Sequence, residues 1–456
     1  MYLIYSILFS MGVVLSAPFY WWRKGRAQGR GHWAERFGSI PYQETKRGAI
    51  WVHAVSLGET LAIAGLIQEL QRALPERKIY LSHVTPTGRE AGEKRLPSLA
   101  GRFYIPLDWR WATRRVFARL KPSLLVIVET EVWPNLLRAA RESGTRVVIV
   151  NARMSRRSLR GYSLARPFMR QVLANVDAIC AQTPEDAERF RQIVADPERV
   201  QMVGNLKFDA QPPKLGEFAR ALKIAIRESQ RGPVLVAAST MPGEEPLVLQ
   251  AWDLIRARYP RALLILAPRH PARFEEVSQL LAQAQSGFVR RTALGDTAPS
   301  PGGPPRESQN AESQTLRQQL DSAAVLLLDT IGELAGIFEI ADMVFMGGSL
   351  VPTGGHNVLE PAYWSKVIAF GPHMENFRDI AKLFLDAGAA IQVRSPEELA
   401  HATWLLENKE ARERLGSSAR EVLEQNSGAT ARTLTVLQKY LDADSEGSRP
   451  LSSGVK

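Results

Sequence analysis

Two series of short apolar runs, separated by longer amphipathic stretches, constrain the fold of this chain more than any other feature. The first series covers Ala49–Val55, Lys78–Val84, Ser123–Val128, Thr145–Val150 and Val176–Ala181, with helical stretches such as Thr60–Leu74 between them. The second covers Val234–Ala238, Ala262–Ala267, Gly287–Arg291, Val325–Leu328, Met343–Met346 and Val367–Phe370. Apolar runs that alternate with helices are typical of parallel sheets covered on both faces. The sequence therefore predicts an α/β chain with two doubly wound, Rossmann-like domains.

Length and composition agree with two domains. A chain of 456 residues with 45% hydrophobic residues is too long for one ordinary domain and can fill two cores. We place the domains at residues 48–210 and 233–442, joined by a linker at 211–232. A segment at 294–314 and a tail at 443–456 are rich in Gly, Pro and Ser, which predicts a flexible insertion and a disordered end. The single cysteine, Cys180, excludes an intramolecular disulfide and fits a reducing compartment.

The first 22 residues, Met1–Trp22, contain no charged side chain and end in an aromatic cluster. Their length is close to the ~20 residues that cross a bilayer, so they predict a single-pass membrane anchor helix. Basic residues follow in the segment 23–47, among them Arg23, Lys24, Arg26 and Arg30. By the positive-inside rule this order predicts an inner-membrane protein whose domains lie on the cytoplasmic side, with the basic segment against anionic lipids.

The stretch Gly347–Pro361 reads Gly-Gly-Ser-Leu-Val-Pro-Thr-Gly-Gly-His-Asn-Val-Leu-Glu-Pro and follows an apolar run. A strand, a glycine-rich turn and a helix in that order direct backbone N–H groups toward an anion, so a phosphate site is one interpretation. Glu360 would then accept hydrogen bonds from ribose hydroxyls. The alternative is structural: the glycines only turn the backbone, Asn357 caps a helix and Glu360 complements its dipole.

Glu59 lies just past the end of the first apolar run, within Ser56-Leu57-Gly58-Glu59. This pattern is a capping box, in which the glutamate accepts a hydrogen bond from the Ser56 backbone N–H. A carboxylate at the end of a strand could equally act as a general base toward a sugar hydroxyl. The pattern alone leaves both interpretations open.

Other polar groups follow strands in both domains. Glu129 and Glu131 come directly after one run, and four arginines follow the next, at positions 153, 156, 157 and 160. Arginines at a strand exit suit phosphate because guanidinium pairs bidentately with its oxygens. In the second domain Ser239 and Arg269 follow strands and would reach the same edge as the glycine loop. We expect a ligand cleft between the carboxyl ends of the two sets of strands.

Seven stretches in order resemble the motif series of the 3-deoxy-D-manno-octulosonic acid (Kdo) transferases of lipopolysaccharide inner-core synthesis. They are His53–Glu59, Glu129–Asn135, Asn151–Arg157, Gly204–Asp209, Ala238–Glu245, Pro268–Pro271 and Gly347–Pro361. The resemblance implies a GT-B fold with an N-terminal acceptor-binding and a C-terminal nucleotide-sugar-binding domain. It also implies CMP-Kdo as donor, the lipid A precursor lipid IVA as acceptor, and an inverting transfer that is independent of metal and cofactor.

The resemblance also assigns residues. It makes Glu59 the catalytic base, a role that can coexist with capping. On the donor side we expect Ser239, Arg269, Gly354, Gly355, Asn357 and Glu360. On the acceptor side we expect Glu131, Arg153, Arg156, Arg157 and Arg160.

Two other classes of protein are considered beside this one. A soluble nucleotide-sugar epimerase shares the two-domain plan and a glycine loop before a glutamate, but has no use for the uncharged start Met1–Trp22. A nucleic-acid binder would use the net charge of +11, yet should show aromatic stacking platforms or basic recognition helices, and we find neither. The expected partners are therefore CMP-Kdo, lipid IVA and anionic inner-membrane lipids, without nucleic acid.

Overall fold

The structure is a computed structural model that describes residues 1–23, 32–209, 215–294 and 316–445. Several expectations lie outside these residues: the basic side chains of Lys24, Arg26 and Arg30, residues 211–214 of the linker predicted at 211–232, nearly all of the insertion at 294–314, and the end of the tail. The rest of that predicted linker is mostly the helix Glu217–Glu228. The chain divides into two units. The first unit comprises Met1–Ala210 together with Asn426–Lys456, and the second comprises Gln211–Gln425.

The first unit is built on a seven-stranded parallel sheet. Its strands are β1 (Ala49–His53), β2 (Ile79–His83), β3 (Gly101–Tyr104), β4 (Pro122–Val128), β5 (Arg146–Ala152), β6 (Ala178–Ala181) and β7 (Val200–Met202). They lie in the order β3-β2-β1-β4-β5-β6-β7, and every neighbouring pair is parallel. All five strands predicted for this domain are confirmed. β3 and β7 were not predicted; they are short edge strands with weaker apolar runs.

Helices cover both faces of this sheet. They are Tyr2–Arg23, Trp33–Arg36, Leu57–Ala73, Pro86–Arg95, Arg110–Leu120, Pro134–Glu142, Arg156–Leu164, Arg166–Leu173, Pro184–Ile193 and Ala429–Ser445. Because successive strand residues point to opposite faces, each central strand feeds two cores. In β4, Leu125 and Ile127 pack into one core, and Leu124 and Val126 pack into the other. This two-sided burial explains the continuous apolar runs in the sequence.

The last helix, Ala429–Ser445, completes the first unit although it follows the whole second unit in the chain. Its Leu437 and Leu441 are buried in the core that also holds Val126 of β4. The carboxylate of Asp209 accepts hydrogen bonds from the backbone N–H groups of Gly428, at 2.6 Å, and Thr430. The division made from sequence had kept residues up to 442 in the second domain, because nothing local in the sequence marks this return.

The N-terminal helix Tyr2–Arg23 lies with one face against the first unit. Tyr5 donates a hydrogen bond to Asp108 (2.8 Å), and the indole N–H of Trp109 donates to the Ser10 hydroxyl (2.9 Å). Met1–Trp22 was predicted to cross a membrane, and the structure does not support that prediction. Across the described ranges, no helix combines the length and apolar character that a membrane crossing needs. Tyr5 and Ser10 of this segment therefore form side-chain hydrogen bonds with the rest of the first unit.

The second unit repeats the architecture. Its strands are β8 (Val234–Thr240), β9 (Leu263–Pro268), β10 (Phe288–Arg290), β11 (Val325–Leu327), β12 (Met343–Met346), β13 (Val367–Phe370) and β14 (Ile391–Gln392). Their order is β10-β11-β9-β8-β12-β13-β14, again with parallel neighbours. All six strands predicted here are confirmed, and only the two-residue β14 was missed. The prediction of two doubly wound α/β domains is therefore confirmed.

The helices of the second unit surround its sheet in the same way. They are Glu217–Glu228, Glu245–Arg258, Phe274–Gln283, Leu334–Ile337, Leu359–Tyr363, Arg378–Asp386, Pro396–Trp404 and Lys409–Gln425, with a further helical stretch at 316–322. Trp252 and Phe345 are fully buried in its core.

We predict that Leu437→Ala destabilises the first unit by about 2–5 kcal/mol, because Leu437 is fully buried and its removal leaves a cavity. Hydrogen exchange measured by mass spectrometry should show faster exchange in β4 and β5. Lys439→Ala, at an exposed position of the same helix, is the control and should change little. Faster exchange confined to β8 and β12 would contradict the assignment of this helix to the first unit.

Candidate functional site

Three motif-bearing loops leave one edge of the first sheet. His53–Glu59 follows β1, Glu129–Asn135 follows β4, and Asn151–Arg157 follows β5. These strands are adjacent and parallel, so the loops at their carboxyl ends are neighbours, as predicted. The strand order reverses between β1 and β4, and such a switch point is where open α/β sheets form ligand sites.

Glu59 forms a capping box at the start of the helix Leu57–Ala73. The Ser56 hydroxyl accepts a hydrogen bond from the Glu59 backbone N–H (3.4 Å) and donates one to Glu59 Oε1 (3.0 Å). The other carboxylate oxygen, Oε2, accepts from the backbone N–H of Val55 (2.7 Å) rather than of Ser56, so that detail of the sequence prediction is wrong. The prediction that Glu59 takes part in a helix cap is thus confirmed.

The burial of Glu59 and the charges near it also suit a general base. Its side chain is buried, with 8% of the residue exposed. Burial raises the pKa of Glu59 to about 7, with further raising by the charges of Glu129 and Glu131, against the lowering effect of the Val55 and Ser56 hydrogen bonds. A carboxyl group with this pKa is partly ionised near neutral pH and can accept a proton there.

The two other carboxylates are held in place by neighbours. Glu129 has a left-handed backbone (φ 61°), and its Oε2 lies 3.2 Å from Nε of Arg153. Glu131 accepts a hydrogen bond from the indole N–H of Trp133 (3.0 Å). Burial raises the pKa of Glu131, and the charge of Glu129 adds to the rise. The structure therefore brings Glu59, Glu129, Glu131 and Arg153 together.

The remaining arginines of the predicted acceptor group stand apart from this cluster. Arg156, Arg157 and Arg160 lie on the helix Arg156–Leu164, which buries none of its residues, and all three are exposed. Within the described residues, none of the three pairs with a carboxylate. They form a basic surface beside the β5 end of the edge.

In the second unit the glycine-rich loop follows β12, next to the Met241–Glu244 loop that follows β8, the strand that ends with Ser239 and Thr240. The strand order reverses between these two strands, so this is the switch point of the second sheet. Ser239 has a left-handed backbone (φ 56°), and the Arg269 backbone N–H donates to the Thr240 carbonyl (3.0 Å). Ser239, Arg269 and the glycine loop are thus neighbours at one edge.

Glu244, which the sequence analysis quoted only as part of a motif, is the main contact between these two loops. Its fully buried carboxylate accepts hydrogen bonds from the backbone N–H groups of Gly348 (2.6 Å), Ser349 (3.0 Å), Leu350 (2.9 Å) and Met241 (3.2 Å). The sequence predicted that backbone N–H groups of the glycine loop face a phosphate. Those of Gly348, Ser349 and Leu350 instead bind a glutamate of the same chain.

The second half of the loop carries the predicted donor residues. Gly354 and Gly355 both have left-handed backbones (φ 95° and 71°), and a Cβ at Gly355 would collide with the Met374 sulfur. Asn357 Oδ1 accepts from the Leu359 N–H (3.2 Å), and its amide donates to Glu360 Oε1 (3.3 Å). The helix that follows has only five residues, Leu359–Tyr363, so its dipole contributes little.

His356 was not assigned a role from sequence, although it lies inside the motif. Its ring packs against Gly348, where an added Cβ would lie 3.1 Å from Nε2. Burial lowers the pKa of His356 to about 4, and the charges of Arg269 and His270 lower it further. His356 is therefore neutral near neutral pH, and the loop lies within reach of the charge of Arg269.

Comparison with known proteins shows which family this chain resembles. Residues 31–210 match a family model described as 3-deoxy-D-manno-octulosonic-acid transferase (kdotransferase). The 3-deoxy-D-manno-octulosonic acid transferase of Bordetella pertussis is 36% identical over 446 residues, covering 93% of this chain and 97% of the relative. That of Haemophilus influenzae is 33% identical over 396 residues, covering 86% of this chain and 87% of the relative.

Among solved structures, a putative UDP-N-acetylglucosamine 2-epimerase from Listeria monocytogenes matches with a TM-score of 0.51 and 14% identity. The match covers 90% of this chain and 100% of that chain. A likeness at this identity concerns the fold alone.

We predict that Glu129→Gln lowers the pKa of Glu59, because it removes the nearby negative charge and leaves Arg153 unpaired. The pKa can be followed by NMR with ¹³C-labelled glutamate, using Glu59→Gln to assign the resonance. Glu76→Gln, an exposed substitution, is the control. A pKa of Glu59 near 4.5 in the parent, or one that Glu129→Gln leaves unchanged, would contradict this description.

Proposed function

The chain belongs to the family of 3-deoxy-D-manno-octulosonic acid transferases, and from this premise we propose that it moves Kdo from CMP-Kdo to lipid IVA with inversion and without a metal ion. The observation that carries the proposal is Glu59: a buried carboxyl group with a pKa of about 7 at the switch point of the first sheet. The family relationship covers most of the chain, which supports transfer of Kdo in lipopolysaccharide synthesis.

In the proposed reaction Glu59 takes the proton from a hydroxyl group of the acceptor. The hydroxyl oxygen then forms a bond to the anomeric carbon of Kdo while the bond from that carbon to the CMP phosphate oxygen breaks. The electron pair leaves with CMP, and displacement from the opposite face inverts the configuration. Because CMP is an activated leaving group, a base and positive charge near the phosphate account for the step.

The acceptor would be recognised by charge. Arg156, Arg157 and Arg160 are exposed and unpaired among the described residues, and guanidinium groups suit the phosphates of lipid IVA. Arg153 contacts Glu129, so it would exchange this partner for a phosphate, and Glu131 lies beside it on the same edge. These residues would therefore form the acceptor-binding side of the site.

The donor would bind to the second unit. Arg269 would pair with the single phosphate, and Glu360, held by Asn357, would accept hydrogen bonds from the ribose hydroxyls. Gly354 and Gly355 allow close approach of the backbone, and Ser239 lies at the end of the adjacent strand. The charge of Arg269, close enough to lower the pKa of His356, supports an anionic ligand here.

An epimerase of the same plan is the second candidate that the sequence left open. Sequence similarity favours the transferase: the transferases are 33–36% identical over most of the chain, whereas the epimerase likeness concerns the fold.

We predict that the protein, incubated with CMP-Kdo and lipid IVA, yields products whose mass rises by discrete Kdo increments. Glu59→Gln should reduce the transfer rate by roughly 10²–10⁴-fold, because an amide cannot take the proton. Because the pKa of Glu59 is raised in the folded protein, the parent loses stability as Glu59 ionises, when the pH rises through about 7. The variant has no charge to gain at this position, so its melting temperature should not fall at pH 8 as that of the parent does.

Ser56→Ala is the matched control in this assay. It removes the cap and keeps the carboxylate, so it should cost ~1 kcal/mol of stability with a smaller effect on rate. Near-parental turnover of Glu59→Gln would contradict the catalytic assignment, and a mass unchanged in the parent would contradict the function.

We also propose that the protein works at the cytoplasmic face of the inner membrane, attached by the outer face of its N-terminal helix. The exposed apolar residues of this face are Leu3, Ile4, Ile7, Leu8, Met11, Val14 and Leu15. Trp33, Phe37 and Trp111, also partly exposed, form a ring stack with Trp109, which contacts Phe9 of the same helix. Aromatic and apolar side chains beside arginines suit the boundary between lipid head groups and acyl chains.

We predict that the double substitution Leu8→Glu and Leu15→Glu reduces co-sedimentation with phosphatidylethanolamine–phosphatidylglycerol vesicles, because it places charge on the apolar face. The same change at two exposed apolar positions of the second unit, Ile224→Glu and Leu254→Glu, should have no effect. Equal sedimentation of both variants and the parent would contradict this mode of attachment.

A further inference from the structure

Two adjacent carboxylates, Glu244 and Glu245, are buried where the helix Glu245–Arg258 begins, and both residues are 0% exposed. They have different partners. Glu245 receives hydrogen bonds from the Thr240 hydroxyl (2.9 Å) and from two nitrogens of Arg273 (2.6 and 3.0 Å). Among the residues that the structure describes, Glu244 has no such cation and binds only backbone N–H groups. These neighbouring glutamates therefore differ in role: Glu245 forms an ion pair, and Glu244 binds backbone N–H groups.

The partners of Glu244 are those that bound anions have in glycine-rich turns. Three successive N–H groups, of Gly348, Ser349 and Leu350, converge on its two oxygens, and Met241 supplies a fourth. Successive backbone N–H groups in such a turn form an anion-binding concavity. The carboxylate fills this concavity from inside the protein.

The contacts continue from this turn to the donor residues. The Gly348 carbonyl accepts hydrogen bonds from the Gly355 N–H (2.7 Å) and the Thr353 hydroxyl (2.9 Å). The ring of His356 also packs against Gly348. A change in the position of Gly348 would therefore displace Gly355 and His356.

We infer that Glu244 is a positioning residue for donor binding: a built-in anion that occupies the N–H groups of Gly348–Leu350 and fixes the segment that receives the nucleotide. The donor phosphate is then received by the Gly354–Asn357 segment and Arg269. This inference rests on the proposed function, since it concerns the same donor site.

A carboxylate is needed for this role because each of its oxygens accepts two of the four N–H groups. Glutamine at 244 has the same shape but would turn an NH₂ group toward two N–H donors. The buried donors would lose their partners, which is costly in the interior of a protein. The loop should then relax, and donor affinity should fall.

The first experiment compares Glu244→Gln with Glu245→Gln, a matched pair in burial, size and helix position. Calorimetry with CMP should show an affinity roughly 10-fold or more weaker for Glu244→Gln, because the relaxed loop no longer fixes the donor-binding segment; this is about the size of one charge-assisted hydrogen bond lost inside the protein. Glu245→Gln removes an ion pair and should lower thermal stability, yet it should bind CMP as the parent does. Equal CMP affinities for the two variants would overturn the inference.

The second experiment asks whether the charge or the packing matters. In Glu244→Ala, formate should restore CMP affinity in a saturable manner, because it can occupy the vacated N–H groups. Formamide has a similar size without the charge and should not. Equal rescue by both molecules, or rescue by neither, would contradict a built-in anion.

The two proposals fail in different ways. A parent protein that does not bind CMP contradicts the proposed donor and, with it, the role of Glu244 in binding that donor. A parent that binds CMP while Glu244→Gln binds it equally well contradicts the positioning role alone.

Discussion

Every strand in each sheet of this protein runs in the same direction, and the arrangement of the candidate sites depends on that constraint. In a parallel sheet all loops from the carboxyl ends of the strands open on one edge, so motifs far apart in sequence become neighbours. Glu59 and Glu129 are 70 positions apart in their numbering, yet β1 and β4 are adjacent. Ser239 and Gly347 meet in the same way beside β8 and β12. In both sheets these pairs lie where the strand order reverses.

Buried glutamates show how neighbours, rather than residue type, decide function. Glu59 is buried with two hydrogen bonds and two carboxylates nearby, so its pKa rises to about 7 and it can act as a base. Glu244 is buried against four backbone N–H groups and binds a loop. Glu245 pairs with Arg273 and stabilises the end of β8. All three glutamates lie between the end of a strand and the first turn of a helix, and they differ in the groups that they contact.

The sequence predicted what local patterns and strand direction determine. The apolar runs located eleven of the strands, and their order along the chain placed Glu59 and the glycine loop at sheet edges. Contacts between distant segments were not predictable. Nothing near Glu244 indicates that it binds Gly348, more than 100 positions away, and nothing near Asp209 indicates the return of the last helix. The uncharged segment Met1–Trp22 was interpreted as a membrane crossing because its contacts with Asp108 and Trp109 cannot be read from its own composition.

We propose that the base and the donor site lie at different switch points, one in each unit. The most direct test is the calorimetric CMP affinity of two matched substitutions, Glu59→Gln in the first unit and Glu360→Gln in the second. We expect parental affinity for Glu59→Gln and an affinity lower by roughly 1.5–3 kcal/mol for Glu360→Gln, which loses a charged acceptor of ribose hydroxyls. Parental affinity for Glu360→Gln, or weakened binding by Glu59→Gln, would contradict this assignment of the two sites.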